Sequence, residues 1–284
     1  MFRIQRAAFT CLIALPLSFL AAGPAAGGTA DCGPGSLPEF NAADFPGHPS
    51  IDNKWLPMEP GTRSEFSGTV TDLSSGTPET HEHQVVSIVT GLTKKIDGVW
   101  TVVLWDRDYS DGILAESELA FFAQSKHGDV WLLGEYPEEF DAGRFSGAPN
   151  TFISGLDDAH GGFAMQADPR EGTAAYTQAS APSIDFLDCA RVVDRKRTTL
   201  KIDEFNPLDG AAVGHQQKYY RAGVGSYKVT ASGGDSQEVL NLDRTVTLDA
   251  KALASANDRA KAQDRHGYKV SPDIYGQTPR AVER

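Results

Sequence analysis

The side chains best suited to chemistry lie in two adjacent runs, VWTVVLWDRDY (99–109) and ILAESELAFFAQ (113–124), joined through Ser110, Asp111 and Gly112. Asp-Gly between two β-prone runs signals a two-residue type I′ hairpin, because that turn needs positive φ at both central residues. A strict two-residue turn sets Ser110 opposite Ile113, Arg107 opposite Glu116, Trp105 opposite Glu118 and Val103 opposite Ala120. Side chains alternate along a strand, so Trp105, Arg107, Glu116, Glu118 and Phe122 then share one face. Continuing through the turn at His127-Gly128 places Phe122 beside Leu133, Ala120 beside Glu135 and Gln124 opposite Trp131. The opposite face holds Val102, Leu104, Ile113, Leu119, Phe121 and Ala123, with Asp106 and Asp108 near the turn, and is the simpler core face.

The mixed face of aromatics, carboxylates and one arginine admits two readings. As a solvent face it holds a cross-strand Arg107–Glu116 ion pair worth a fraction of a kcal/mol. As a pocket wall it places a few charges among aromatic surfaces, the usual make-up of a small-molecule site. Its ligand residues would be Trp105, Arg107, Glu116, Glu118, Phe122, Gln124, Trp131 and Glu135. Two of its carboxyls could also act as acid and base if their pKa values were pushed apart, which suits a hydrolase or lyase. A one-residue slip in register would exchange the two faces.

His81 and His83, in THEHQVV, lie two apart in a strand-like run and project to one side, a workable pair of ligands for a divalent ion that lacks a third. The solvated start of a strand explains them as well. No cofactor is required by any motif. LDDAHGGF (156–163) puts two acids and a histidine before a Gly-Gly pair in a loop-rich stretch, where a plain turn serves equally. The chain carries no G-x-S-x-G, G-x-G-x-x-G, Walker or H-E-x-x-H motif, so serine-triad hydrolysis has no support.

These candidates need a scaffold, and its beginning is an export signal. Residues 1–30 combine Arg3 and Arg6, a short apolar run broken by Pro16 and Pro24, and a small-residue exit, which reads as a cleaved secretory signal rather than a membrane span. The expected location is secreted or periplasmic. Removing that stretch takes away two arginines and no acid, so the formal charge moves from −12 to −14. Such a charge disfavours nucleic acid and anionic membrane surfaces as partners and leaves a small molecule as the expected one. Of three cysteines, Cys11 departs with the signal, leaving Cys32 and Cys189 as an even pair in an oxidising compartment. A bridge between them closes a loop long enough to stabilise by about 4–5 kcal/mol in the chain-entropy model.

Residues 31–62 form a Pro- and Gly-rich lead-in, 63–249 a β domain, and 250–284 a short helix with a loosely held tail. Residues 80–136 read as a four-stranded antiparallel meander with turns at Asp97-Gly98, Asp111-Gly112 and His127-Gly128. Further strands follow at RTTLKIDEF, GHQQKYYRA and VGSYKVTA. The fold class is mainly antiparallel β, a curved sheet or open barrel with few short helices.

WLPMEPGT (55–62), the block TKKIDGVWTVVLWDRDYSDGILAESELAFFAQSKHGDVWLLGEY and the closing HQQKYYRAGVGSYKV together resemble a group of exported bacterial β-rich proteins of unassigned function. The likeness covers about 55–230. On it, Asp106, Arg107, Glu116, Gln124, Asp129, Trp131 and Glu135 fall on the group's polar positions. This chain departs from the group at IDFLDCA (184–190) and LAFFA (119–123). The resemblance implies a fold and export, and no reaction. Its closing motif is also similar to the curved half-barrel sheets of periplasmic lipid and lipoprotein carriers. The expected function is an exported protein binding a small amphipathic or apolar ligand; the alternative is the hydrolase or lyase above.

Overall fold

The computed structural model of the protein describes residues 31–210 and 212–284. The stretch read as an export signal, residues 1–30, lies outside them. Fifteen strands form one antiparallel sheet. In chain order they are β1 (Thr62–Asp72), β2 (Glu79–Ile96), β3 (Val99–Ser110), β4 (Ile113–Gln124), β5 (Val130–Asp141), β6 (Arg144–Gly147), β7 (Phe152–Ile153) and β8 (His160–Met165). Then come β9 (Tyr176–Ala181), β10 (Phe186–Arg195), β11 (Thr199–Phe205), β12 (His215–Arg221), β13 (Gly225–Ser232), β14 (Ser236–Thr247) and β15 (Val282–Glu283). Twelve of them close into a barrel in the order β1-β14-β13-β12-β11-β10-β9-β8-β5-β4-β3-β2, with β1 pairing back onto β2. Closure leaves no long edge to be covered, and the expectation of a curved, mainly antiparallel sheet is met in its fully closed form.

The meander of β2 to β5 follows from its turns. Asp97 and Gly98 (φ 47° and 81°) and Asp111 and Gly112 (φ 50° and 75°) take the left-handed conformations that a type I′ turn demands. Cys32 and Cys189 are bridged, which ties the lead-in to β10. The lead-in does not trail beside the barrel. Ile51, Trp55 and Met58 are buried in the same apolar cluster as Leu104, Phe122, Leu132, Ile202 and Tyr220, so they stopper one end of the lumen. A barrel of eight strands is filled by its own side chains. Twelve strands enclose more space, and here the stopper and a layer of long polar side chains occupy it.

The C-terminal region differs from the short helix and loose tail expected from its polar composition. A 21-residue helix, α1 (Ala250–Val270), capped by the Asp249 carboxylate on the Ala252 amide at 2.8 Å, lies against the outer face of the meander. Its contact stripe of Ala256, Ala260 and Gly267 is small, which lets the backbone come close. A Cβ on Gly267 would lie 2.6 Å from the Tyr275 ring. Polar pins add to this packing. The Lys94 ammonium, fully buried, donates to Asp264 Oδ1 at 2.8 Å, to the Tyr268 hydroxyl at 3.0 Å and to the Pro279 carbonyl at 2.7 Å. Tyr275, in the tail, is also fully buried and donates to Asp264 Oδ1 at 2.8 Å. Burial pushes the Lys94 pKa down to about 8, and Asp264 pulls against that shift. The helix buries polar groups that find partners on the barrel wall and in the tail, which composition does not reveal.

Candidate functional site

The site residues are positioned by two β-bulges. The β3–β4 hairpin begins in the expected register, Ser110 opposite Ile113 and Tyr109 opposite Leu114. A bulge then leaves Ala115 unmatched, and Asp108 falls opposite Glu116, Asp106 opposite Glu118, Leu104 opposite Ala120 and Val102 opposite Phe122. One extra residue shifts every later pair and turns the remainder of β4 over relative to β3. The second bulge, at Gly134 in β5, re-phases that strand so that Leu132 and Glu135 both point inward, Glu135 opposite Ala120 as expected. Gly134 leaves no room for a side chain, because a Cβ there would lie 2.9 Å from the Phe152 carbonyl oxygen.

The mixed face expected from the strict two-residue register is therefore divided between the two sides of the barrel wall. Glu116, Glu118, Phe122 and Glu135 face the lumen, joined by Asp106 and Asp108, which the strict register had put on the other face. Trp105, Arg107 and Trp131 face outward, and Trp105 is opposite Leu119 and Arg107 opposite Ser117. Trp105 Nε1 donates to Ser117 Oγ and to Gln263 Oε1, both at 3.0 Å, under α1. The Arg107 guanidinium lies 4.3 Å from the Trp105 ring centroid and donates to the Tyr109 hydroxyl at 3.4 Å, so the expected Arg107–Glu116 pair does not form. Trp131 packs edge-on with Phe163, Phe40 and Phe45. Gln124 holds the stopper: its Oε1 accepts from the Asp52 and Asn53 amides at 2.9 Å each, and its Nε2 donates to Asp52 Oδ1. Asp129 Oδ1 accepts from the Ala167 amide at 2.8 Å.

The proposed imidazole pair is also divided. Half-exposed His81 pairs through Nδ1 with Asp111 at 2.7 Å. His83 is buried, with Nε2 2.8 Å from Asp108 and Nδ1 3.1 Å from Glu238. Burial works to lower its pKa, but the two carboxylates more than offset this and hold it at about 10, an imidazolium at neutral pH. Among the described residues no three His, Cys, Asp or Glu side chains are set to hold a metal ion. The LDDAHGGF glycines have a packing cause. They open β8, and a Cβ on Gly161 or Gly162 would lie 2.4 Å from the Leu132 carbonyl oxygen or 2.2 Å from that of Thr177.

Inside the barrel the side chains fall into three tiers. Beneath the stopper is an apolar chamber walled by Leu104, Phe122, Leu132 and Ile202. Next is a belt of acids, Asp106 on β3, Glu118 on β4, Glu135 on β5, Asp188 on β10 and Glu204 on β11, all at most 3 % exposed. The cation facing them is Lys218 on β12, whose Nζ lies 2.6 Å from Glu204 Oε2. Further along the barrel, Asp108 on β3, Glu116 on β4, His83 on β2, Glu238 on β14 and Gln216 on β12 close the lumen, with Gln216 Nε2 donating to Glu238 at 2.9 Å. Sequence reasoning passed over Asp188, Glu204, Lys218 and Gln178. The available signal was parity: an acid stands two residues from an inward apolar residue in Leu104/Asp106, Asp188/Ala190 and Ile202/Glu204.

Burial raises the carboxyl pKa values of the belt. Asp106 is pushed up to about 6 by desolvation, against the pull of the Ser87 hydroxyl and Lys218. Glu118 is driven well above the ordinary range by burial and then by the charges of Glu135, Glu116 and Asp106. Glu135 and Asp188 move the same way, again chiefly through burial, with Asp188 adding to Glu135 and Glu204 to Asp188. Asp106, Glu118, Glu135 and Asp188 therefore hold their protons more tightly than exposed carboxyls do.

A cavity of about 100 Å³ lies between the stopper and the belt. Leu56, Met58, Leu104 and Phe122 form apolar parts of its wall, and Asp106 and Lys218 bring charge to it. Comparisons with protein-family models, with curated proteins and with solved structures find no match to this chain.

Proposed function

We propose that this chain is an exported binding protein that holds a small amphipathic ligand inside the barrel. The observation that carries this reading is the cavity: apolar on most of its wall, with an acid and a cation at its inner side. That combination supplies burial for an apolar body and orientation for a polar end. Its volume suits a molecule of only a few heavy atoms, and the stopper that roofs it is held by Gln124 and by the Cys32–Cys189 bridge behind it. The signal-like first thirty residues and the disulfide support a secreted or periplasmic location. Among the described residues no helix is long and apolar enough to cross a membrane.

A hydrolase or lyase acting through carboxyls is favoured by one feature, the mutual influence of Glu118 and its neighbours on their protons. Binding is the better reading, because burial pushes Glu118 and Glu135 in the same direction, whereas paired acid–base work needs them pushed apart. The test is native mass spectrometry of the purified protein, together with calorimetric binding of 1-butanol to the wild type and to Ala164→Leu. Ala164 lines the cavity, and the larger side chain fills it. The reading expects a co-purifying small molecule and at least a tenfold loss of butanol affinity in the variant. Equal binding by both proteins would place the ligand elsewhere and defeat it.

A further inference from the structure

The belt below the cavity is rich in acceptors and poor in donors. Neither oxygen of Glu118 has a hydrogen-bond partner among the described residues, and the same holds for Glu135 Oε1 and Asp188 Oδ2. Gln178, 1 % exposed, adds an independent observation. Its Nε2 reaches Glu204 Oε1 at 3.4 Å and the Ala164 carbonyl at 3.3 Å, which places the amide in the belt, and its Oε1 has no donor. A buried acceptor without a donor is costly, so a run of them marks missing donors. Lys218 pairs with Glu204 at 2.6 Å and also draws on Asp106, Glu118, Glu135 and Asp188, so a single ammonium serves five carboxyls. The other buried cation of the lumen, His83, is engaged by Asp108 and Glu238.

The belt adjoins the cavity directly. Asp106 lines the cavity and stands opposite Glu118 across the β3–β4 ladder. What the belt lacks is positive charge carrying several N–H donors. A bare metal ion does not suit it, because no three of these groups are set as ligands among the described residues. A primary ammonium carries one charge and three donors, and the alkyl chain behind it matches the apolar wall above. We propose that the ligand is a small primary amine, with its ammonium among Asp106, Glu118 and Gln178 and its alkyl part against Leu104 and Phe122. This rests on the reading that the cavity holds a ligand.

The test is calorimetry on the purified protein at pH 7 with four probes: n-butylammonium chloride, 1-butanol, sodium butyrate and calcium chloride. The amine is expected to bind at least tenfold more tightly than the alcohol, and butyrate not to bind. Glu118→Gln, which keeps shape and removes the charge, is expected to weaken the amine at least tenfold and leave the alcohol unchanged. Asp106→Asn takes its place if that variant does not fold. Butanol binding as tightly as the amine overturns the inference but leaves the cavity reading intact. Absence of binding by both overturns the two together. Calcium binding without amine binding overturns the inference in favour of an inorganic cation, and an amine affinity indifferent to both substitutions overturns the belt as its site.

Discussion

Glu118→Gln tests the electrostatics of the barrel interior even without a ligand. Glu118 is 1 % exposed, and burial together with Glu135, Glu116 and Asp106 raises its pKa well above 4.5. A carboxyl whose folded pKa lies above its unfolded value is bound to its proton more tightly in the folded state. Its contribution to stability is complete below pH 4.5 and is lost as pH rises through the folded value. Across that span each tenfold difference in proton affinity is worth about 1.4 kcal/mol. Glutamine has the same shape and no proton to lose. At pH 4 the variant should match the wild type to within roughly 1 kcal/mol, since one neutral polar group replaces another. As pH rises the wild type should weaken relative to the variant, because only the wild type has a buried carboxyl to ionise, and its unfolding midpoint should fall while that of the variant does not. Urea unfolding of both proteins at pH 4, 5, 6 and 7 gives the comparison. A variant weaker than the wild type by a constant amount at every pH would show that Glu118 is charged and paired at all of them, and would refute the argument.

Two other outcomes follow from the scaffold. Thiol labelling of unreduced, denatured protein should find no free thiol among Cys32 and Cys189, and reduction should cost about 5 kcal/mol for a bridge spanning 157 residues, read from the shift in the urea midpoint. Lys94→Met should lower stability by about 3–5 kcal/mol in chemical denaturation, because it leaves the Asp264 carboxylate buried without its cation; Lys94→Met combined with Asp264→Leu should recover much of that loss.

Several elements were legible in the sequence because their causes are local. Asp-Gly turns need positive φ at adjacent residues, and Asp97-Gly98 and Asp111-Gly112 adopt it where the dipeptides stand. The runs around them alternate, so the β2–β5 meander followed, and compartment and parity argued for the Cys32–Cys189 bridge. Glu116, Glu118, Phe122 and Glu135 were picked out as one group and do share the lumen.

The tertiary structure alone decided which face those residues occupy and what stands with them. A strand has a side-chain period of two, so the unmatched Ala115 moved Trp105 and Arg107 outward and brought Asp106 and Asp108 in beside Glu118. No turn residue announces that bulge. The helix, read as a surface element from its Ala, Lys and Asp content, became a packed one because Lys94 and Trp105 on the barrel wall meet Asp264 and Gln263. Barrel closure brought Asp188 and Glu204 opposite acids lying far earlier in the chain. Their pairing depends on which strands meet across the lumen, and hydrogen bonds between strands distant in sequence settle that only once the whole sheet has formed.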